Sequence, residues 1–163
     1  VLISEDRRGK ALVGNLSIKE NVLLSCIDRY AKHGYLDEKK EKQDVSEKAE
    51  ALKIRMTGLD QRIIELSGGN QQKAVFAKAL MTNPKVFLCD EPTQAVDIMT
   101  RNEIHKLLRE KADAGNAVVY VSSDLKEILE VADTIQLVVQ GETRQLLVNE
   151  NLTTTEVLSY CYE

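Results

Sequence analysis

No basic excess, no membrane-length apolar run and no paired cysteine spacing mark this sequence. Lysine and arginine number 22 against 26 aspartates and glutamates, a net charge of −4 with a pI of about 5.4. That balance argues against a general polyanion-binding surface and against nucleic acid as a partner, so any phosphate site must be local. No apolar run approaches the roughly 18 residues of a membrane-spanning helix, and no signal peptide opens the chain. The cysteines Cys26, Cys89 and Cys161 are odd in number and far apart. They read as free thiols of a reducing compartment, without metal-ligand spacing. Internal repeats and low-complexity linkers are absent. What is present is 43% hydrophobic content over 163 residues, enough for one substantial core. The chain opens within an apolar run, Val1-Leu2-Ile3, without methionine, and reads as a piece of a longer polypeptide.

The chemistry concentrates between Leu66 and Thr93, LSGGNQQKAVFAKALMTNPKVFLCDEPT. Ser67, Gly68 and Gly69 precede a helix expected over Asn70 to Met81. The first-turn N–H groups there lack intrahelical partners and the helix dipole is positive, so this end can receive an anion. Glycines allow close backbone approach, and Ser67 can cap the helix. Val86 to Cys89 reads as a strand buried on both faces, the parallel-sheet type, closed by Asp90-Glu91-Pro92. Ligands of such sheets sit beyond the carboxyl ends of the strands. Asp90 can hold Mg²⁺ there, directly or through water, and Glu91 can orient or deprotonate an attacking water. Taken singly, each motif is also a plain cap or a solvated acidic pair. Their order and spacing together are far more specific.

The stretch resembles the ABC ATPase family, in which LSGG is the signature sequence and the apolar strand with Asp-Glu is Walker B. The opening VLISEDRRGKALVGNLSIKENVLL is similar to the second nucleotide-binding half of simple-sugar importer ATPases of the ribose and galactose type. LSGGNQQK, SEDR and SSDL carry that likeness, while Gln94-Ala95 replaces the Arg-Gly usual after DEPT. The resemblance implies Glu5 at the Q-loop position, Asp97 as the D-loop aspartate, and Ser123 where most relatives carry a switch histidine. It implies a partial P-loop NTPase fold: an α/β domain with a mostly parallel sheet flanked by helices. Residues 17–60 would form a helical lobe, 61–133 the signature-to-switch region, and 134–163 a hairpin and terminal helix.

Local signals fill in the elements. Ser17 with Glu20 is a capping box, and Ile18, Val22, Leu23, Cys26, Ile27 and Tyr30 recur at helical spacing up to a stop at Gly34. Asp37 to Gln43 is a charge run, read as an exposed, mobile face. A second lobe helix is expected from Ser46 to Met56, with Gly58 as its stop. Further helices are expected over Ile98 to Ala114 and Leu125 to Ala132, around a second buried strand at Ala117 to Val121. A hairpin at Gln140-Gly141-Glu142 and a capping box at Thr153 and Glu156 close the chain. His33 and His105 are isolated and read as structural or solvent-facing.

No G-x-x-x-x-G-K-[ST] occurs in the 163 residues, so no backbone cradle or lysine for β- and γ-phosphates is supplied. The chain by itself is expected to bind ATP poorly, to hydrolyse it negligibly, and to self-associate through uncovered sheet. In the intact protein the resemblance implies ATP and Mg²⁺ sandwiched between two halves. Asp90 and Glu91 would serve the nucleotide of this half; Ser67, Gly68, Gly69 and Asn70 would face that of the other. Membrane permease subunits at the cytoplasmic face, and indirectly a sugar-binding protein, would be the partners. A catalytically silent half that lends only its signature stays open as an alternative. So, less favoured, does a soluble ABC ATPase of DNA repair or translation.

Overall fold

The computed structural model describes residues 1–32 and 34–162; His33 lies outside them. The chain divides into two compact units, Val1–Val119 and Tyr120–Glu163.

A sheet is built from β1 (Leu2–Ile3), β4 (Val86–Asp90) and β5 (Ala117–Val121), with β4 in the middle and the first three residues of β5 within the first unit. β1 runs parallel to β4, Leu2 opposite Leu88 and Ile3 opposite Cys89. Parallel neighbours need a long crossover, and here the lobe and α3 (Gly68–Met81) lie between them in sequence. The N–H of Ala117 donates to Lys85 O at 2.9 Å as β5 begins. α3 is buried almost all round, through Ala74, Val75, Phe76 and Ala77 and also through Gln71, Gln72 and Lys73. It packs on β1 and on the helices α1 (Ile18–Leu23) and α2 (Glu38–Ala51). Asn83, at φ +48, follows its end.

Three expectations for the lobe and sheet need correction. The Ser17–Glu20 capping box forms, but its helix stops at Leu23 rather than at Gly34. The apolar stripe continues through a 3₁₀ turn, Ile27–Tyr30, which buries Tyr30 and donates its hydroxyl to Asp44 at 2.8 Å. Burial and that carboxylate push the Tyr30 hydroxyl well above its ordinary pKa. Gly34, at φ +85, instead turns the chain between the short antiparallel strands β2 (Ala31–Lys32) and β3 (Tyr35–Leu36).

The charge run is largely exposed, as expected, but it is helical and buries Glu41. Asp37 caps α2 by accepting from the Lys40 N–H, and Glu41 is 2% exposed, held by Lys19 at 3.3 Å. α2 therefore starts eight residues before the expected Ser46 and ends at Ala51, with Lys53 at φ +52 rather than Gly58 turning the chain. Finally, β4 and β5 are not buried on both faces. Phe87 and Cys89 are buried while Val86 and Leu88 are each 43% exposed, and β5 alternates exposed with half-buried residues. Burial pushes the Cys89 thiol up to about 12, so it packs as an inert hydrophobe.

The second unit is a hairpin, β6 (Thr134–Val139) and β7 (Glu142–Val148), with α5 (Leu125–Val131) and α6 (Thr154–Tyr162). Gln140 and Gly141 both have positive φ, +52 and +84, the demand of a tight type I′ turn. Ile135, Leu137, Leu147 and Val157 form its core, with Leu125 and Ile128 of α5 packed against them. Asn149 Nδ2 donates to Leu129 O and Ala132 O, fastening the hairpin's end to α5.

Candidate functional site

The helix start at Ser67 is built by short-range bonds and then locked by neighbours. Ser67 Oγ accepts from the N–H and the Nδ2 of Asn70, at 3.4 and 2.9 Å. Asn70 Oδ1 in turn accepts the N–H of Arg55 at 2.9 Å, so this side chain joins the cap to the end of the lobe. Ser67 is exposed and Gly68 half-buried, whereas Gly69 is buried. A Cβ on Gly69 would lie 2.8 Å from Thr100 Oγ1 and 3.2 Å from Asp97 Oδ2. Glycine here is a requirement of packing between α3 and α4 (Ile98–Asp113). Ser67 and Gly68 are therefore the part of the motif open to a ligand.

The acid pair closes β4. Asp90 is exposed and Glu91 half-buried, and Glu91 has φ +44 although it is neither glycine nor asparagine. The turn beyond it is held by the Gln94 N–H donating to Glu91 O at 3.1 Å. Asp97 caps α4, accepting from the Thr100 N–H at 2.9 Å and from its hydroxyl at 2.8 Å. These bonds, the backbone one foremost, hold the Asp97 carboxyl below its ordinary range. Asp90's carboxylate and exposed position suit a hard cation such as Mg²⁺, which takes one or two carboxylates and keeps its waters. Among the described residues no cluster of three or more His, Cys, Asp or Glu could form an all-protein cage.

The charged turn after β1 folds as a π-helical turn, Arg7–Ala11, capped by Asp6, whose Oδ1 accepts the Gly9 N–H at 2.8 Å. Glu5 is exposed. Arg7 reaches the same helix start: its Nη1 lies 3.5 Å from Gly68 O. A Cβ on Gly68 would lie 3.7 Å from both Arg7 Nη2 and Ala95 O. The Ser-Gly-Gly helix start, the Arg7 turn and the Thr93–Asp97 segment thus meet at one place. Ser123 belongs to the second unit. It is exposed there, between Ser122, whose hydroxyl donates to Glu127 Oε2 at 2.9 Å, and Asp124, which caps α5. His105 lies half-buried on α4.

Sequence reasoning missed the work of the Gln-Gln-Lys run. Gln71 Nε2 donates back to Leu66 O at 3.0 Å and Gln72 Nε2 to Pro92 O at 2.6 Å. Lys73 pairs with Glu103 and donates to Lys53 O at 3.3 Å. The available signal was the polar run Asn70 to Lys73 opening a helix whose later positions are apolar except Lys78. Buried amides and ammoniums need partners, but their identities come from other segments.

Residues 3–94 match the model of a family described as ABC transporter. The chain is 39% identical over 158 residues to the xylose import ATP-binding protein XylG of Paraburkholderia xenovorans, covering 97% of this chain and 30% of that protein. It is 39% identical over 156 residues to the ribose import ATP-binding protein RbsA of Lactococcus lactis, covering 96% and 32%. The chain thus spans about a third of the length of these curated relatives. Among solved structures, the dimeric structure of MJ0796, a bacterial ABC transporter cassette, superposes with a TM-score of 0.78 at 25% identity over 93% of this chain and 63% of that one. A post-hydrolysis state of the same cassette, bound to ADP and Pi, gives 0.77 at 26% identity with the same coverage.

Proposed function

The chain belongs to the ABC transporter family, and from that premise we propose that it is part of the ATP-hydrolysing subunit of a carbohydrate importer. The observation that carries this reading is the meeting of the Ser67–Gly68 helix start with the Thr93–Asp97 segment that follows the Asp90–Glu91 pair. An anion-receiving helix end and a carboxylate pair held by one scaffold are what phosphoryl transfer between two sandwiched halves needs. The xylose and ribose import relatives support the substrate class.

In this reading Glu91 takes up or orients the proton of the attacking water. Asp90 would hold Mg²⁺, which supplies charge neutralisation at the phosphates. Ser67 Oγ and the Gly68 N–H face the nucleotide of the opposite half, where the α3 dipole favours negative charge. Hydrolysis is proposed of the polypeptide in which these residues accompany a phosphate cradle, working with permease subunits at the cytoplasmic membrane face. Among the described residues no helix is long and apolar enough to cross a membrane.

Turnover of ATP by the full-length subunit, with and without Glu91→Gln, tests this. Loss of the general base should lower turnover about 10²- to 10⁴-fold while ATP still binds. Unchanged turnover would favour a second reading, a silent half that lends only Ser67 and Gly68 to its partner. Ser123 supports that alternative, because a serine hydroxyl cannot exchange a proton near neutral pH as a histidine can.

A further inference from the structure

Gln72 is 2% exposed on α3, five residues beyond Ser67, and its side chain reaches Pro92, the residue after the acid pair. Its Nε2 donates to the carbonyl of Pro92 at 2.6 Å, while its Oε1 is buried without a hydrogen-bond partner. A buried amide oxygen without a partner is unfavourable, so packing alone does not account for an amide at this position. The single bond to Pro92 O is what the amide supplies.

That carbonyl sits next to strained backbone, with Glu91 and Ala95 of this turn both at positive φ. Glu91 is at φ +44, a region that disfavours side chains with a Cβ, and the following proline restricts it further. Such strain persists only where the surroundings over-determine it. The Gln94 N–H holds the Glu91 carbonyl from the downstream side. Gln72 holds the next carbonyl from the helix.

We propose that Gln72 is a positioning residue that aims the Glu91 carboxylate, tying its turn to the helix whose start faces the opposite nucleotide. The inference rests on the ATPase reading above. It adds that the Gln72–Pro92 bond joins this half's water-activating turn to the Ser67 helix, beside the packing of Gly69 on Thr100.

The test uses the full-length subunit with Gln72→Met, Gln72→Glu and, as reference, Glu91→Gln. Gln72→Met keeps the length, removes the orphaned oxygen and deletes the donor. Turnover should fall about tenfold to a hundredfold, the scale of a small misplacement, with KM for ATP and the thermal midpoint unchanged. Gln72→Glu can donate to Pro92 O only when protonated, and burial raises a carboxyl's pKa. Its turnover relative to wild type should therefore climb as pH is lowered from about 8 to about 6, a response that a space-filling role would not produce. If Gln72→Met does not fold, the pH response of Gln72→Glu decides alone. Wild-type turnover in every Gln72 variant, or a loss of turnover matched by a loss of stability with a flat pH ratio, overturns the positioning role. A wild-type subunit that hydrolyses no ATP overturns the ATPase reading itself, and this inference with it.

Discussion

Gly69 shows how one residue type can serve two demands at adjacent positions. Gly68 leaves a surface open; Gly69 fills a contact that admits no side chain. Thr100, which a Cβ would strike at 2.8 Å, is itself pinned by Asp97 and cannot swing aside without breaking the α4 cap. Gly69→Ala should therefore destabilise the protein by about 1–3 kcal/mol, as overpacking does, and shift the Thr93–Asp97 segment. A urea midpoint lowered at constant m-value would register it. Gly68→Ala, with 3.7 Å to its nearest neighbours, should leave the midpoint close to wild type.

Among the elements, helix starts carry most of the short-range electrostatics. Glu20 and Glu156 each accept from the hydroxyl and backbone N–H of their cap residues, Ser17 and Thr153. The hydroxyl bond foremost holds each carboxyl below its ordinary value. A carboxyl with a depressed folded pKa stabilises above its unfolded value of about 4.3 and loses that contribution as pH falls through the folded value. Ser17→Ala should cost about 1 kcal/mol at neutral pH and less at acid pH, so its stability profile should run flatter than wild type below about pH 4. Equal losses at both pH values would remove the cap from this account. The corrected α2 belongs here too. A solvated charge run and a capped helix are compositionally alike, and Asp37 with buried Glu41 separates them.

At the scale of the whole molecule, the first unit's sheet has one packed face and one open face. Ile3, Phe87 and Cys89 lie on the first; Leu2, 64% exposed, stands beside Leu88 on the second. Exposed apolar sheet of this kind associates. The 163-residue chain in isolation should show a mass by light scattering that rises with concentration. A constant monomer mass up to high concentration would count against that. Leu88→Lys should reduce the association without unfolding the chain, because its side chain points away from the core.

What the sequence by itself determined was local or dictated by residue order. The caps at Ser17, Ser67 and Thr153, the Gln140-Gly141 turn and the strand closed by Asp90-Glu91 follow from backbone needs met within a few residues. The likeness of LSGGNQQK and DEPT to ABC ATPases rests on the same ordered motifs. Only the tertiary structure decided which faces are buried and what buried polar groups hold. Ile18, Val22, Leu23, Cys26 and Tyr30 of the stripe are core while Ile27 is exposed, and the chain through them is helix and then 3₁₀ turn, with Tyr30 tied to α2 by its bond to Asp44. The partners of Gln71, Gln72 and Lys73 lie 5 to 30 positions away in sequence, three of them beyond the reach of any helical period. A buried amide announces that it needs a partner, but long-range packing alone chooses which one.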